Sequence, residues 1–586
     1  MELKINHFVI GIIISLCFSF SENSDGKKIT MRDLLVRSKK PEVNFNIGHH
    51  FEPKSGREIP LENFPFWISD PVGYAVWGAH LADITGDGYP EVILISEQSP
   101  NYLFINHNGI PSTSPDWISN DMDFNVFATF GDYDNDGDLD MAVGAYAFLG
   151  GRASLYRNDN GMLTQNPVWN AGYTGGTWCG WGDVDNDGDL DLAITDFYQF
   201  PAVFMNDNGV LETYPSWTGW DYSMDFGGAW IDVDNDGDLD LAVGGYGWQQ
   251  NVPILRIYKN DNGVLENIAS WQSYQPPWAP LGATLAAGDI DNDSWIDIAA
   301  VHSLIYNAPD LIYKNYEGTL GMVPYQEFYN SGCTCGAVWG DIDGDGFLDL
   351  AVNNNNEDIG QIYVFQNAGG LLYISPTWNS TTPSGLGIDL GDIDQDGLVY
   401  REDTLIGNGV KKLFYTTKMP FHKLQEITVS EIPVPISDYC YDFKAGWISL
   451  KNTPPSGAEI VIKYTYSLDL DLLASGDNTC QGYLFRNIST GIKEIANRGL
   501  IKGSFKICSN PVHQGNLQFV YSLKARSFVQ CDLYDCMGRN IGTLIKSIQP
   551  SGVYRFNKTL NIPSGSYFVV LKAGDEIVTQ KIIVIQ

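Results

Sequence analysis

Basic residues are scarce in this 586-residue sequence, which has 35 Lys and Arg against 71 Asp and Glu and a net charge of -36. The scarcity is greatest between residues 83 and 397, where 47 acidic residues accompany only five basic ones: Arg152, Arg157, Arg256, Lys259 and Lys314. A nucleic-acid-binding protein needs a cationic surface to displace the counterions of phosphate, so nucleic acid is excluded as a partner. Because so acidic a region repels itself, the composition indicates bound cations.

Long apolar segments are also missing, since no stretch approaches the ~18 apolar residues of a membrane-spanning helix. The apolar run at residues 8–20 has the length of a signal-peptide core, with Lys4 before it and the small residue Ser21 after it. We predict a signal peptide at residues 1–21 and a polar linker at residues 22–60. The protein is therefore expected to be exported, either secreted or attached to the cell surface, without a transmembrane segment.

The cysteines and the known catalytic motifs give little evidence for disulfides or for an enzymatic activity. Eight of the nine cysteines follow the predicted cleavage site, and this even number permits disulfides in an exported chain, although free buried thiols fit as well. The sequence has no nucleophile elbow, zinc signature, phosphate-binding loop or dinucleotide fingerprint. We predict no catalytic residue and no organic cofactor.

What the sequence has in abundance is one acidic loop, repeated at intervals of 49, 51, 49, 57, 52 and 51 residues. An apolar strand ending in Trp-Gly or a similar pair precedes the loop, and a strand such as Asp240-Leu-Ala-Val-Gly follows it. A segment of the type Leu155-Tyr-Arg-Asn and a Pro-x-Trp segment complete each unit. The first residues of the seven loops are Asp83, Asp132, Asp183, Asp232, Asp289, Asp341 and Asp392.

Each unit therefore contains four short strands, which is the content of one propeller blade. Four-stranded units of this size bury little surface alone, and seven of them can close into a ring that removes the exposed sheet edges. A linear array of small β-modules is the alternative. We predict an all-β protein in which residues 61–488 form a seven-bladed β-propeller.

The Trp-Gly lead-in, the Asp-x-Asp-x-Asp-Gly-x-x-Asp loop and the exit strand Val143-Gly-Ala145 resemble FG-GAP repeats of the VCBS type. Repeats of this kind are also found in the propeller of integrin alpha subunits. The resemblance covers about residues 61–488 of the sequence. It implies a β-propeller with calcium held in loops inside the blades.

The loop composition suits calcium, which takes about six to eight oxygen ligands from carboxylates, carbonyls and water. Carboxylates at positions 1, 3, 5 and 9 can converge on one ion with the backbone carbonyl of position 7, whose own side chain is expected to stay in water. Glycine at position 6 allows the sharp turn, and Ser294 replaces it in loop 5. Four unneutralised carboxylates repel each other, and magnesium is disfavoured because it retains its waters.

We predict up to seven structural Ca²⁺ ions. The predicted ligands are Asp83, Thr85, Asp87 and Glu91 in loop 1; Asp132, Asp134, Asp136 and Asp140 in loop 2; Asp183, Asp185, Asp187 and Asp191 in loop 3; Asp232, Asp234, Asp236 and Asp240 in loop 4; Asp289, Asp291, Asp293 and Asp297 in loop 5; Asp341, Asp343, Asp345 and Asp349 in loop 6; and Asp392, Asp394, Asp396 and Asp471 in loop 7. Loop 1 is the weakest site, because a hydroxyl stands at position 3.

The seventh loop lacks its exit strand. After Asp392-Ile-Asp-Gln-Asp-Gly397 the expected Asp-Leu-Asp-Leu sequence is missing, and it reappears as Leu468-Asp-Leu-Asp471-Leu. We predict that residues 398–467 form a small inserted β-module and that Asp471 supplies position 9 from across the insertion. The alternative is a contiguous EF-hand-like loop with Asp403 at position 12.

The chain ends carry two further predictions. A Pro-x-Trp segment at residues 65–69 precedes the first loop, and nothing similar follows residues 483–487 of the last unit, so we predict that the N-terminal segment completes the last blade. Residues 502–586 alternate like the strands of a small Ig-like β-sandwich.

Three motifs of this C-terminal region are similar to the C-terminal sorting domain of type IX secretion cargo, namely Asn510-Pro511, Leu533-Tyr-Asp535 with Gly538-Arg539, and Pro563-Ser-Gly565-Ser-Tyr567. The resemblance implies passage across an outer membrane, and often surface attachment, with the secretion machinery as a partner of this domain.

We expect a calcium-stabilised propeller that binds protein or glycan at the bacterial cell surface, in adhesion or scaffolding. The alternative is a secreted polysaccharide lyase or glycoside hydrolase on a calcium propeller. A lyase acting on uronates needs positive charge and a base, which five basic residues in the repeat region scarcely provide. A hydrolase needs paired carboxylates, and the repeat acids are already assigned to metal.

Overall fold

The structure is a computed structural model, and the residues it describes are 58–172, 175–197, 199–221, 224–246, 253–274, 283–302, 309–328, 333–355, 361–380, 385–476, 479–488, 505–507, 512–513, 516–523, 527–535, 539–549, 552–560, 562–573 and 576–585. All described residues belong to one compact unit of the chain. The predicted signal peptide and nearly all of the predicted linker lie outside the described residues.

The described part of the chain is almost entirely β-structure, and its helices are two 3-10 turns, Ala147–Leu149 and Ile436–Asp438. None of the helices in this part is long and apolar enough to cross a membrane. The predicted all-β class is therefore confirmed.

Six antiparallel four-stranded sheets follow one another along the chain, and in each the strand order is the chain order. A short strand, β1 (Trp67–Ile68), precedes them. The strands are β2 (Ala75–Ala82), β3 (Glu91–Glu97), β4 (Tyr102–Phe104) and β5 (Trp117–Ile118) in sheet 1; β6 (Asn125–Gly131), β7 (Asp140–Ala145), β8 (Ser154–Tyr156) and β9 (Trp169–Asn170) in sheet 2; β10 (Trp178–Gly182), β11 (Asp191–Thr195), β12 (Ala202–Phe204) and β13 (Trp217–Thr218) in sheet 3; β14 (Met224–Ile231), β15 (Asp240–Tyr246), β16 (Leu255–Tyr258) and β17 (Trp271–Gln272) in sheet 4; β18 (Ala283–Gly288), β19 (Asp297–His302), β20 (Asp310–Tyr313) and β21 (Gln326–Phe328) in sheet 5; and β22 (Cys333–Gly340), β23 (Asp349–Asn355), β24 (Gln361–Phe365) and β25 (Trp378–Asn379) in sheet 6.

Sheet 7 takes its strands from three distant parts of the chain. Its strands are β26 (Ile388–Gly391), β34 (Asp471–Gly476), β35 (Gln481–Phe485) and the N-terminal β1, in that order from one edge to the other. Trp67 pairs with Leu484 and Ile68 with Tyr483 in antiparallel register. The N-terminal segment thus lies where the count of Pro-x-Trp segments predicts it.

The outermost strands explain why Pro-x-Trp recurs in the sequence. The indole Nε1 of Trp117 in sheet 1 donates to the carbonyl oxygen of Leu163 in the next unit at 2.8 Å. In sheet 5, Gln326 replaces the tryptophan and donates to the carbonyl oxygen of Leu372. The remaining indole bonds run from Trp67 to Pro111, Trp169 to Glu212, Trp217 to Leu265, Trp271 to Leu320 and Trp378 to Leu61. Each sheet is therefore bonded to the next, and sheet 7 to sheet 1.

The Trp-Gly pairs at the ends of the innermost strands have a packing role. A Cβ on Gly131 would lie 2.9 Å from Cδ1 of Trp181, and one on Gly182 would lie 2.7 Å from Nε1 of Trp230. The indole of one sheet therefore packs directly on the glycine backbone of the sheet before it, and a larger residue would force the sheets apart. Trp181 is 2% exposed in the core that joins sheets 2, 3 and 4.

Residues 398–467, here called the cap, leave sheet 7 after loop 7 and form two further sheets. The four-stranded sheet has the order β27-β33-β29-β30 and the three-stranded sheet the order β28-β32-β31. The strands are β27 (Leu398–Ile406), β28 (Leu413–Tyr415), β29 (Phe421–Val429), β30 (Ile432–Pro433), β31 (Tyr439–Asp442), β32 (Trp447–Leu450) and β33 (Glu459–Ser467).

Alternating side chains of the three-stranded sheet are buried on both of its faces. Leu413, Cys440 and Trp447 belong to the hydrophobic core of sheets 2–4. Their neighbours Phe414 and Ile448 belong to the core of the cap itself. The cap is therefore packed on the ring of sheets through an apolar contact, as in obligate interfaces.

The C-terminal region contains two sheets with the strand orders β36-β38-β41 and β37-β43-β42-β39-β40. Side chains from both sheets, among them Phe519 and Val569, form one hydrophobic core. The strands are β36 (Lys506–Ile507), β37 (Val512–His513), β38 (Asn516–Leu523), β39 (Ser527–Asp535), β40 (Asn540–Gln549), β41 (Gly552–Thr559), β42 (Gly565–Ala573) and β43 (Glu576–Ile585).

Candidate metal centres in the acidic loops

Each of loops 1–6 joins the innermost strand of its sheet to the second strand, and loop 7 likewise follows the innermost strand β26, although it leads into the cap. In loops 2–6 the structure brings three carboxylates together, with ligand atoms all within 4.8 Å of one another. This spacing allows all three to contact one cation. The groups are Asp132, Asp134 and Asp136; Asp183, Asp185 and Asp191; Asp232, Asp234 and Asp240; Asp289, Asp291 and Asp297; and Asp341, Asp343 and Asp345.

Positions 1 and 5 shape the turn. In loop 2 the backbone N–H of Gly137, at position 6, donates to Asp132 Oδ2 at 2.9 Å, and that of Asp138 donates to Asp136 Oδ1 at 3.0 Å. Gly137 has a φ of +100°, which favours glycine. Ser294 occupies position 6 of loop 5 with a φ of +71° and makes the equivalent bond to Asp289 at 2.8 Å. Loop 5 therefore keeps the same turn, although a positive φ strains the backbone of a residue other than glycine.

Position 9 ties the loop to the rest of its sheet. In loop 3, Asp191 accepts the backbone N–H of Val184 on Oδ2 at 2.9 Å and that of Asn206 on Oδ1 at 2.8 Å. Asp140, Asp240, Asp297 and Asp349 accept the corresponding pairs. Both carboxylate oxygens are thus held in place, each with further lone-pair capacity.

Asp471 reproduces this geometry from across the insertion. It accepts the backbone N–H of Ile393 on Oδ2 at 2.9 Å and that of Asn487 on Oδ1 at 2.7 Å. Burial raises the pKa of Asp471 well above its ordinary value, and the nearby carboxylates of Asp394 and Asp392 raise it further. Loop 7 therefore has its position-9 carboxylate beside it in space, although the sequence places it after the cap.

Asp403, the acid of the alternative EF-hand-like loop, lies in strand β27 inside the cap. It accepts hydrogen bonds from the backbone N–H of Thr417 at 2.8 Å and from the hydroxyl of Tyr464 at 2.7 Å. Burial acts to raise the pKa of Asp403, but these hydrogen bonds outweigh it and the pKa is lowered. The geometry places Asp403 in the cap's own hydrogen-bond network, because the chain continues as a strand where an EF-hand loop would turn.

Five of the loop carboxyls are buried and form no ion pair among the described residues. Burial raises the pKa of Asp140 and Asp240 to about 8, and that of Asp132, Asp183 and Asp392 to about 7. Neighbouring carboxylates contribute in the same direction, as Asp134 does for Asp140. Groups with such raised pKa values are incompletely ionised at neutral pH, and a bound cation would favour their charged form.

Several carboxylate oxygens are buried and have no hydrogen-bond partner in the described part of the chain. They are Oδ1 of Asp83, Asp134, Asp232, Asp234 and Asp291. The side chain of Asp232 is 0% exposed, so water does not compensate for the missing partner. Oxygen donors in this number are what a hard cation such as calcium requires, so the residues present fit the predicted ion.

Loop 1 differs from the other six because it has a threonine, and not an aspartate, at position 3. The hydroxyl of Thr85, at position 3, donates to Glu91 Oε1 at 3.3 Å. Glu91 also accepts the backbone N–H of Ile84 at 2.8 Å, and burial raises its pKa to about 7. Positions 3 and 9 of this loop are thus hydrogen-bonded to each other, and Asp83 and Asp87 remain as its aspartates.

The expectation that the position-7 side chains of Asp138, Asp189 and Asp238 stay in water is wrong for Asp189, whereas Asp138 and Asp238 are partly exposed. Asp189 is 1% exposed and accepts hydrogen bonds from the Asn135 side chain at 2.9 Å and the backbone N–H of Asn208 at 2.7 Å. Asp238 accepts the corresponding pair from Asn186 and Asn262. The neighbouring loop and the next turn of the same sheet lie against position 7, which local sequence does not reveal.

An asparagine at the end of each third strand is the structural residue that the sequence patterns did not single out. In sheet 2, the Asn158 side chain donates to the carbonyl oxygens of Ile84 in the preceding loop, at 2.8 Å, and of Leu139 in its own loop, at 3.1 Å. The residues that do the same in the other sheets are Asn106, Asn206, Asn260, Asn315, Asn367 and Asn487. The signal was the asparagine of the recurring Tyr-Arg-Asn segment.

The asparagine bonds run round the complete ring. Asn106 of sheet 1 donates to the carbonyl oxygen of Ile393 in loop 7 at 2.8 Å, although the two residues are 287 positions apart. Loop 7 and sheet 1 are therefore neighbours like any other pair. The same bonds hold each acidic loop at a fixed distance from the next.

Three lysines of the cap contact acidic loops of the sheets. Lys411 Nζ lies 2.9 Å from Asp232 Oδ2, and Lys418 Nζ lies 3.5 Å from Asp341 Oδ2. Lys412 Nζ donates to the carbonyl oxygen of Asn186 in loop 3 at 2.6 Å. The cap thus covers the loops of sheets 3, 4 and 6 and supplies positive charge that the repeat region itself lacks.

One cap lysine also joins the two ends of the ring. Lys444 Nζ donates to Asp389 Oδ1 and to the carbonyl oxygen of Leu390, both at 2.8 Å. Asp389 Oδ2 in turn accepts the backbone N–H of Leu81 in sheet 1 at 2.8 Å. The junction between sheets 7 and 1 is therefore held by the cap as well as by β1.

A comparison with protein-family models gives a match to part of the chain. The model described as "FG-GAP-like repeat" matches residues 67–143, 183–243, 232–300 and 341–400. The matched segments contain all seven acidic loops. No curated protein matches the sequence.

Three solved structures are similar at low identity. The crystal structure of BBS1N in complex with ARL6DN has 11% identity and a TM-score of 0.40, covering 72% of this chain and 96% of that one. The Dos1 propeller has 9% identity and a TM-score of 0.35, covering 73% and 95%. The V. cholerae biofilm matrix protein Bap1 has 10% identity and a TM-score of 0.29, covering 90% and 84%.

The evidence for the fold therefore comes from the repeats themselves. Four-stranded sheets recur at the spacing of the acidic loops, and the family model matches on those loops. Clusters of buried aspartates in the same loops offer the ligands that a metal ion needs. The chain carries FG-GAP-like repeats, and the segments that match them form successive four-stranded sheets.

Proposed function

We propose that this chain is an exported, calcium-stabilised, seven-bladed β-propeller that binds a protein or glycan at the bacterial cell surface. In this proposal each four-stranded sheet is one blade, and the acidic loops hold up to seven structural Ca²⁺ ions through the residues named above. The C-terminal two-sheet region is an Ig-like module that serves secretion of the type IX kind.

The calcium part rests on the unpartnered carboxylate oxygens. Asp232 Oδ1 is buried without a hydrogen-bond partner in the described residues, although Oδ2 of the same group has two. A buried acceptor left unpaired destabilises a fold by about 1–3 kcal/mol. Since the same feature recurs in four further loop aspartates, an ion in the loops accounts for them together.

The binding part rests on an apolar strip at the outer edges of sheets 3–5, here called the rim patch. The backbone N–H of Trp220 donates to the carbonyl oxygen of Asn267, and the backbone N–H of Tyr274 donates to that of Met322. Aromatic residues of one sheet therefore adjoin apolar residues of the next. Exposed apolar patches mark interaction sites, and Trp and Tyr are enriched at interfaces. The rim patch consists of Tyr214, Trp220, Ile268, Tyr274, Met322 and Val323, which are 58–65% exposed.

Calcium removal tests the first part. We expect elemental analysis to find calcium in the purified protein, and EDTA to lower the melting temperature by about 10 °C or more, because a ligand of the native state stabilises it by mass action. Added calcium should restore the melting temperature and magnesium should restore it poorly. A protein without bound calcium whose melting curve ignores EDTA would contradict the proposal.

A paired variant tests the second part. We expect Trp220→Ala/Tyr274→Ala to lose binding to a glycan array or to extracted cell-surface proteins. The control, Ile118→Ala/Val168→Ala, removes exposed apolar side chains of sheets 1 and 2, which are 41% and 46% exposed. Equal binding by both variants would exclude the rim patch, and degradation of a polysaccharide by the wild type would favour the enzyme alternative.

A further inference from the structure

One position of the third strand is basic in some of the seven sheets and uncharged in the others, and it lies next to the acidic loop. The residue just before the recurring asparagine of each third strand lies beside position 3 of the acidic loop. It is basic in four sheets, as Arg157, Lys259, Lys314 and Arg486, and uncharged in three, as Ile105, Met205 and Gln366. Three of the five basic residues of the repeat region are used at this one position.

In sheets 4, 5 and 7 the basic group pairs with the loop acid. Lys259 Nζ lies 2.7 Å from Asp234 Oδ2, and Arg486 Nε lies 3.3 Å from Asp394 Oδ2. Lys314 Nζ is bonded to Asp291 Oδ2 and lies 3.4 Å from Asp293 Oδ2. In sheet 2 the guanidinium of Arg157 turns instead to Asp159 at 2.8 Å.

The lysine leaves half of the position-3 carboxylate for another partner. In both Asp234 and Asp291, Oδ2 accepts a hydrogen bond from the lysine ammonium group. Oδ1 of each is buried and has no hydrogen-bond partner in the described residues. An ion bound through Oδ1 then shares its carboxylate with a fixed positive charge. The shared charge and the repulsion between two nearby cations both weaken binding of the ion.

Loop 3 is the contrasting case. Met205 occupies the same position in sheet 3 and brings no charge, while Asp183 and Asp191 are 0% and 1% exposed. The cap approaches this loop through the Lys412 bond to the backbone carbonyl of Asn186 and through the Cys440 thiol, which lies 3.7 Å from Asp183 Oδ2. Among the described residues, no Lys or Arg side chain forms an ion pair with a loop 3 carboxylate, so no ammonium or guanidinium group competes there with an ion.

We propose that Lys259, Lys314 and Arg486 are affinity-setting residues, so that loops 4, 5 and 7 bind calcium more weakly than loop 3. This inference rests on the proposed calcium function. The ring then has two classes of site, one filled at low calcium and one filled only as the concentration rises. Before any ion binds, the built-in cations partly neutralise the loops that contain them.

Loop 5 carries its own reporter, because Trp295 stands at position 7, where an ion is bound by the backbone carbonyl. Terbium occupies calcium sites and is excited by a nearby indole, so the Trp295-dependent part of the terbium luminescence measures loop 5. A Trp295→Phe protein, with its other indoles unchanged, identifies that part. Displacement of terbium by calcium then gives the calcium affinity of this loop.

The test compares Lys314→Met with the wild type. Methionine is the residue that sheet 3 uses at the same position, as Met205, so the strand accepts it. We expect Lys314→Met to bind calcium at loop 5 about tenfold more tightly or better. The matched control is Lys463→Met, which removes a lysine paired with Glu426 on the cap at 2.6 Å and should leave the affinity of loop 5 unchanged.

The outcomes separate the two proposals. If the Trp295-dependent signal is present and Lys314→Met leaves the affinity unchanged or weaker, the affinity-setting role is wrong and the calcium function stands. If neither terbium nor calcium binds to the wild type, the calcium function itself is wrong. Lys314→Gln, which copies Gln366 of sheet 6, gives the same measurement if the methionine variant does not fold, and the reciprocal Met205→Lys should lower the number of ions retained after dialysis at low calcium.

Discussion

Sheets 1–6 are each made from one continuous stretch of chain, whereas sheet 7 is assembled from three pieces. The cap separates β26 from β34, and β1 comes from the other end of the repeat region. Even so, Asp471 bonds to Ile393 and Asn487 as Asp191 bonds to Val184 and Asn206. The loop geometry therefore depends on the strands that meet in space and not on their order along the chain.

The difference also shows where the ring needs extra support. A sheet completed from two chain ends has no covalent link across its last strand pair, and here three separate contacts hold it. They are the β1–β35 pairing, the Asn106 bond to loop 7, and the Lys444 contact with Asp389. The cap is thus inserted in sheet 7, where its Lys444 contact adds to the strand pairing and to the Asn106 bond.

The largest expected effect comes from opening sheet 7. Deleting residues 58–70 removes β1, the indole bond of Trp67 and the carbonyl of Leu61 that accepts from Trp378. We expect loss of the single cooperative transition, or a melting temperature lower by about 10 °C or more. Deleting only residues 22–57 is the control and should leave the transition in place. Equal melting of the two truncations and the full mature chain would show that β1 is not needed for closure.

The next effect separates the two assignments of loop 7. Asp471→Ala leaves the buried N–H groups of Ile393 and Asn487 without acceptors, at about 1–3 kcal/mol each, and should release one calcium ion. Asp140→Ala in the contiguous sheet 2 should do the same, while Asp403→Ala should loosen the cap and keep the ion count. Urea melts and elemental analysis of dialysed protein measure both quantities. Loss of an ion with Asp403→Ala, but not with Asp471→Ala, would overturn the split-blade assignment.

A smaller effect concerns pH in the metal-free protein. The folded-state pKa of Asp392 in sheet 7 and of Asp132 in sheet 2 is raised to about 7, far above the unfolded value of about 3.9. The native state then holds more protons than the unfolded state, so its stability should fall as pH rises through 7. We expect the EDTA-treated protein to melt lower at pH 8 than at pH 6, and calcium to abolish the difference.

Single substitutions of the two aspartates compare the pH dependence of sheet 7 with that of sheet 2. Asp392→Asn and Asp132→Asn should each reduce the pH dependence of the metal-free protein by a similar amount, because burial raises the pKa of both carboxyls to about 7. A melting temperature of the metal-free protein that rises from pH 6 to pH 8 would contradict the argument. A decrease confined to one variant would show that the split blade is electrostatically different from its neighbours.

The smallest effect is that of the cap lysine at the junction. Lys444→Met removes the ammonium from Asp389 and from the carbonyl oxygen of Leu390, and we expect a loss of about 1–2 kcal/mol in unfolding free energy. Amide exchange of Leu81, whose N–H is bonded to Asp389, should become faster. Lys463→Met, in the same cap but away from the junction, serves as the control, and an unaltered Leu81 exchange rate would remove Lys444 from the closure.

Much of this molecule could be read from local pattern. The acidic loops, the strands around them, the insertion after Gly397 and the return of the exit strand at Asp471 are all visible because a repeat exposes any departure from itself. The loop chemistry was equally visible, since carboxylates at positions 1, 3, 5 and 9 are oxygen donors wherever they fold. Ser294 is an instance, because a substituted position 6 was apparent in the sequence and its positive φ is found in the structure.

Contacts between repeats could be decided only by the tertiary structure. The sequence shows an asparagine in every third strand, but not that its amide reaches the preceding loop. It shows Asp189, but not that two neighbours bury it. It shows lysines in the cap, but not that they meet the carboxylates of loops up to 179 residues away. The sequence thus determines what each repeat is, because strand, turn and ligand preferences are local, and the closed ring decides which groups meet, because that depends on how the blades face one another.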